Sequence, residues 1–274
     1  MGKMKPPQTT RKDPQSYETE WRISADRIAE VGLYKRIFDP YGFEGKNILE
    51  LGTGPGRETE EIWRKNPNLV LGLEIKPPML KLAKEYLIEK GYPVNITGTQ
   101  RYSGIPSFNV REGEITLAQA NYLDPKTIDP RLRGKFDYAI LTFPGGGIWP
   151  VVNCDPEEGI YPLAVAMEKI GYLVKPGGKA ISADRVFSDD LAERAQDVAV
   201  PSGFRLVGAK CIEDREGVKA TVWGNKSASI YAGGKKKRYP IKNAKPGEVA
   251  EVILKEMDET DAKPGILTLE FEKL

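Results

Sequence analysis

Ile48-Leu49-Glu50-Leu51-Gly52-Thr53-Gly54-Pro55-Gly56 decides how this chain folds. An apolar run closes on an acid, and three glycines follow at every second position. A buried strand entering a glycine-rich turn is how a doubly wound α/β sheet brings its backbone close to a ligand. The spacing departs from the dinucleotide fingerprint, which places its third glycine three residues after the second. Arg57 stands at that place, and Gly56 comes one position early. A carboxylate at Glu50 would repel a pyrophosphate and attract a positively charged group.

Outward from this turn, strands and helices alternate as in α/β folds. The first strand covers Asn47–Leu51, and a polar helix carrying Ile62 and Trp63 follows over 57–65. Leu69–Glu74 is a second apolar run of strand length. Pro77 and Pro78 open a helix whose Leu80, Ala83 and Leu87 share a face, and Gly91 closes it. Before the turn, Ile28, Val31, Ile37 and Phe38 recur with helical spacing over 24–38, with Ser24 as N-cap. Residues 93–114 break the regularity with Thr97-Gly98, Ser103-Gly104-Ile105-Pro106 and Glu112-Gly113, the signature of a hairpin insertion. Because it enters a strand at its amino end, the insertion is expected on the side of the sheet away from the ligand.

Further strands are expected over 115–120 and 136–141. A Gly/Pro-rich loop then runs from 143 to 159, and a helix over 161–174 stops at Lys175-Pro176-Gly177-Gly178. Strands from 179, over 205–212 and over Ser227–Ala232 complete the expected sheet, with a helix between them at 188–200. The tail adds an amphipathic helix bearing Val249, Ile253 and Met257, then the alternating strand Leu267-Thr268-Leu269-Glu270-Phe271, which would pair within the chain or with a second subunit. The sequence divides into an N-terminal segment and candidate lid (1–40), a nucleotide-fold domain (41–235) carrying the insertion 93–114, and a C-terminal extension (236–274).

Composition narrows the chemistry. The 274 residues are 40% hydrophobic with a net charge of +2, enough for a large core and too balanced to indicate nucleic acid or membrane. Two distant cysteines, Cys154 and Cys211, have no metal or redox spacing and read as free thiols in a reducing, cytoplasmic setting. No apolar stretch has the length of a signal sequence core or a membrane span. Histidine is absent, which excludes serine–histidine triads and histidine metal sites and leaves carboxylate, tyrosine, lysine or cysteine as any general base.

Over roughly residues 20–235 the chain resembles the class I S-adenosylmethionine-dependent methyltransferases. The likeness rests on Glu50 with Gly52, Gly54 and Gly56, on Glu74 about 20 residues later, on Gln119-Ala120-Asn121-Tyr122-Leu123-Asp124, on the segment 136–147, and on Lys175-Pro176-Gly177-Gly178. It implies a doubly wound, mostly parallel seven-stranded sheet with a final antiparallel strand, extended by the inserted hairpin and the C-terminal helix and strand. It implies S-adenosyl-L-methionine as cofactor. The glycines would pass under its methionine part, Glu50 would help hold the ammonium, Glu74 would accept from the ribose hydroxyls, and Asn121 would accept from the adenine amine, with Asp124 as the alternative. Thr53, Ile75, Tyr122 and Thr142 complete the expected cofactor-binding set.

The reacting segment departs from the family's pattern. Methylases of planar amino groups commonly carry an Asn or Asp with prolines and an aromatic here, whereas this chain has Thr142-Phe143-Pro144-Gly145. That counts against DNA adenine or glutamine methylation; the expected acceptor is a small molecule or an exposed group on a larger one. Trp149, Asn153, Asp155, Glu157, Glu158 and Tyr161 are the nearby pocket or base candidates, and Tyr17 and Trp21 belong to the candidate lid. The rivals are an RNA methyltransferase and a non-catalytic S-adenosylmethionine-binding module. Lys235-Lys236-Lys237-Arg238 is read as a solvated turn rather than an RNA patch. A homo-oligomer would form through the C-terminal extension or the 93–114 insertion.

Overall fold

A computed structural model describes residues 22, 25–26, 28–30, 32–97, 100–102, 105–142, 162–185, 203–212, 218–224, 227–232, 235–240 and 266–274. The expected lid with Tyr17 and Trp21, the Ser24 cap, the loop 143–161 with all its pocket candidates, and the helices at 188–200 and 249–257 lie outside these residues.

The chain alternates as its sequence dictates through β1 (Asn47–Leu51), α2 (Arg57–Trp63), β2 (Leu69–Glu74) and α3 (Pro77–Glu89). Ahead of them stands α1 (Leu33–Phe38), whose N-cap Gly32 is left-handed at φ 66°. Residues 25–26 and 28–30 are also helical, so Gly32 interrupts the single helix expected over 24–38. β1 and β2 are continuous apolar runs because both their faces are covered. Leu80, Ala83 and Leu87 of α3 enter one core with Ile37, Phe38, Ile48, Ile62, Val70, Ile115 and Leu117. Phe43 closes the amino side of this core, its ring 5.7 Å from Phe38 and 5.0 Å from Tyr138.

The sheet continues through β3 (Val94–Thr97), β6 (Ile115–Gln119), β7 (Phe136–Thr142) and β8 (Val174–Arg185). Between β7 and β8 lies α4 (Pro162–Ile170). The remaining strands are β9 (Phe204–Ile212), β10 (Val218–Gly224), β11 (Ser227–Ala232), β12 (Lys235–Pro240) and β13 (Ile266–Lys273). Together they form an 11-stranded sheet in the order β12-β11-β10-β9-β13-β8-β7-β1-β2-β6-β3. All pairings from β3 to β8 are parallel, and all from β8 to β12 are antiparallel. The fold is α/β with strands running mostly in one direction, larger than the seven strands expected.

Three details differ from the sequence expectation. The sheet does not finish at 227–232, because the tail strand β13 lies antiparallel beside β8. β13 pairs with β8 from Ile266↔Arg185 to Glu272↔Lys179, and with β9 on its other side. Both of its edges are therefore filled within the chain, and it offers no edge to a second subunit. The basic run Lys235–Arg238 belongs to edge strand β12 rather than to a turn. The Lys175–Gly178 stop bulges within the β7–β8 ladder: Phe136 pairs with Val174 and Tyr138 with Lys179, leaving 175–178 looped out.

The insertion contains the expected hairpin, β4 (Gln100–Tyr102) with β5 (Ile105–Ser107). Its position is the correction. β3, absent from the sequence expectation, runs parallel to β6 with Val94 beside Ile115 and Thr97 beside Ala118. The chain has already crossed to the carboxyl edge of the sheet when the hairpin begins, so the hairpin stands on the ligand side. Buried Asp129, beyond the end of β6, ties it there by accepting from the Phe108 amide at 2.8 Å. Arg131 bonds both Asp129 (2.6 Å) and the Ser107 hydroxyl (2.5 Å). Against the upward push of burial, these donors hold the Asp129 carboxyl below its ordinary value.

Candidate functional site

The glycine turn is built as its spacing requires. Gly52, Gly54 and Gly56 all have positive φ (82°, 55° and 84°), where other L-residues are strained. The Gly52 and Thr53 amides donate to the Leu73 carbonyl at 2.8 and 3.1 Å, fastening the end of β1 to β2. Gly56 is also a close-approach position, since a Cβ there would meet the Ala83 Cα at 3.2 Å. A residue outside the motif proves equally constrained. A Cβ on Gly72 of β2 would overlap the Thr53 Oγ1 and lie 3.1 Å from the Leu117 Cδ2.

Glu50 is fully buried, and both carboxylate oxygens accept from the Thr59 hydroxyl, at 3.0 and 2.8 Å. Burial pushes its carboxyl up to about 7; the Thr59 bonds oppose this and the Glu74 charge adds to it. Glu74 ends β2 with its carboxylate held by main chain: Oε2 accepts from the Gly54 amide at 3.1 Å and Oε1 from the Lys76 amide at 2.9 Å. Tyr122 lies close enough that its phenol, raised to about 12 chiefly by burial, also feels Glu74. Asn121 lies two residues past the end of the neighbouring strand β6. Its Oδ1 accepts from the Leu123 amide at 3.0 Å, and its own amide donates to the Thr127 hydroxyl at 3.0 Å. Ile75 and Leu123, just past the ends of the paired strands β2 and β6, leave apolar side chains 54% and 40% exposed.

Thr142, at the end of β7, is buried and donates its hydroxyl to Oε2 of Glu58. Sequence reasoning missed Glu58. An acid in the first turn of a helix is ordinarily a solvated dipole partner, so nothing in its spacing marked it. Here it is 5% exposed, and its Oε1 is buried with no hydrogen-bond partner. Burial first, and then the charge of Glu50, raises its carboxyl well above the ordinary range. Thr59 was missed because its hydroxyl is engaged by a residue of another element, Glu50. The structure thus brings the expected Glu50, Gly52, Thr53, Gly54, Gly56, Glu74, Ile75, Asn121, Tyr122 and Thr142 to the carboxyl ends of β1, β2, β6 and β7, and adds Glu58 between Glu50 and Thr142.

Cations are scarce around these acids. No ion pair among the described residues engages Glu50, Glu58 or Glu74. Arg57, next in sequence to Glu58, turns elsewhere: its Nε meets Asp26 at 2.5 Å and its guanidinium lies 3.2 Å from the Tyr86 ring centre. Buried carboxyls without a counter-ion suit a ligand that brings its own positive charge.

This architecture is the class I methyltransferase fold. The chain aligns over 97% of its length with 99% of a Haloferax volcanii protein described as a putative methyltransferase in complex with the Trm112 methyltransferase activator, at a TM-score of 0.51 and 13% identity. An S-adenosylmethionine-dependent methyltransferase from Mesorhizobium loti matches 91% of the chain with all of its own length, at 0.46 and 13%. The [4+2]-cyclase SpnF matches 94% of the chain with 81% of its own, at 0.48 and 14%. No family model and no curated protein matches the sequence.

Proposed function

We propose that the chain binds S-adenosyl-L-methionine at the carboxyl ends of β1, β2, β6 and β7 and directs its methyl group to a small-molecule acceptor. The observation that carries this reading is the set of buried carboxyls around a left-handed glycine turn, with no cation engaging them among the described residues. The donor set fits the cofactor. Glu50 offers charge to an ammonium. Each Glu74 oxygen accepts one main-chain amide and keeps a second lone pair for a ribose hydroxyl. Asn121 Oδ1 likewise keeps a lone pair beyond the Leu123 contact for an adenine amine. Ile75 and Leu123 present apolar surface at adjacent strand ends, suited to the faces of a flat base.

The bound cofactor supplies a methyl made electrophilic by its sulfonium. The protein's part is to hold the donor and exclude water, so that an acceptor approaches in line. The basic edge strand β12 lies seven strand spacings from β1, about 34 Å at the usual separation, which separates it from the site and favours a small acceptor over RNA. Calorimetric titration tests the donor assignment. Glu74→Ala is expected to weaken S-adenosylmethionine binding at least tenfold, and unchanged affinity in the folded variant overturns the ribose role.

A further inference from the structure

We infer that Glu58 is a further donor-binding residue, which holds a proton in the ligand-free protein and releases it to solvent when the positive charge of S-adenosylmethionine enters. The inference rests on the donor reading above. Its geometric basis is separate from the motif residues. Glu58 reaches from the first turn of α2 to the end of β7, where one oxygen takes the Thr142 hydroxyl and the other is buried without a partner. Leaving a buried carboxyl oxygen unsatisfied costs about 1–3 kcal/mol or more, a cost that a partner brought by the ligand would relieve.

The groups that face Glu58 explain why the proton stays until then. Glu50 of β1 adds like charge once it ionises, and the charge of Glu74 of β2 raises Glu50 in turn. Tyr34 of α1 is buried and raised, first by burial and next by Glu58 itself, so it stays neutral. Asp26 adds negative charge at Tyr34 and Arg57 positive charge; the Arg57 Nε bonds Asp26, its guanidinium lies over the Tyr86 ring, and its Nη1 is buried without a hydrogen-bond partner. Among the described residues no ion pair engages Glu58, and a bound cation would supply its counter-ion. The exchange balances as Glu58 carboxylic acid plus cation going to a carboxylate–cation pair plus a solvated proton.

Glu58→Gln keeps an acceptor for Thr142 and removes the titration. Calorimetry of wild type at about pH 6, in two buffers of different ionisation enthalpy, measures protons released per S-adenosylmethionine bound. Wild type is expected to release about half a proton or more, and its affinity to rise several-fold between about pH 5.5 and 7. In Glu58→Gln the release falls by at least half, the pH dependence flattens, and affinity at pH 7 drops about tenfold. S-adenosylhomocysteine, which keeps the ammonium and lacks the sulfonium, is the second probe. Release that Glu58→Gln loses with both ligands assigns the ammonium to Glu58, and release that it loses with S-adenosylmethionine alone assigns the sulfonium. Equal release and affinity in wild type and variant overturn the role of Glu58 while Glu74→Ala still tests the donor site. No release by wild type overturns it without recourse to any variant, and no binding by wild type overturns the donor reading and this inference together.

Discussion

The parallel part of the sheet, β3 to β8, and the antiparallel part, β13 with β9 to β12, divide the work of the molecule. In the parallel part every strand end points to the same edge, so Glu50, Glu74, Asn121 and Thr142 converge although they are spread over nearly a hundred residues. In the antiparallel part neighbouring ends alternate, so no comparable convergence arises. That part instead closes the structure, and its key strand arrives last. β13 threads between β8 and β9 with Thr268, Leu269 and Phe271 buried. The difference teaches that the site depends on one part for its geometry and on the other for its stability.

Removing residues 266–274 should therefore have the largest effect. It takes a central strand from the sheet and leaves the ladders of β8 and β9 unpaired. Loss of cooperative unfolding, followed by circular dichroism on heating, is expected. Phe271→Ala, which empties a fully buried site, should cost about 3–5 kcal/mol in chemical denaturation. A truncated chain with unchanged unfolding would break the division, because the antiparallel part would then be dispensable.

The same division explains what the sequence discloses. β1, β2, β6 and β7 are mostly apolar stretches ending at turn signals, so local pattern suffices to find them and the residues at their ends. The place of β13 is a long-range fact. Its alternation marks a strand, but nothing local says that it inserts between strands formed more than 50 residues earlier. β3 was missed because Val94-Asn95-Ile96-Thr97 is short and only Thr97 is buried, and with it went the side on which the hairpin stands. Glu58 and Gly72 were missed because their constraint comes from neighbours in space, Thr142 and Thr53 respectively.

Gly72→Ala sharpens the comparison inside the parallel part. The added methyl must displace Thr53 or Leu117, so the strand keeps its pairing while the glycine turn is pushed away. A loss of about 1–3 kcal/mol is expected from overpacking, together with weaker S-adenosylmethionine binding. Ala at Gly72 with wild-type stability and affinity would show that the turn relaxes freely.

The smallest effect is the response of ligand-free stability to pH, which the parallel part should dominate between pH 5 and 8. Glu50 has a folded value of about 7 against an ordinary 4.5, so the native state holds its proton more tightly than the unfolded chain. Well below pH 4.5 both states are protonated and the group is nearly neutral for folding. As pH rises towards 7 the unfolded chain ionises first, and stability falls, by at most about 3 kcal/mol for a shift of this size. Glu58 adds to the same slope, since burial raises it too. Asp129 and Asp137 are lowered despite burial, by Arg131 and by Lys175 respectively, and their stabilisation is lost only as pH falls below the ordinary carboxylate range. They therefore do not contribute in this window. Glu50→Gln is expected to flatten the decline in denaturation midpoint from pH 5 to 8, and saturating S-adenosylmethionine to flatten it in the wild type, because a bound cation removes the reason for the proton to stay. A decline that survives both changes would place its source outside the carboxyls of the glycine turn.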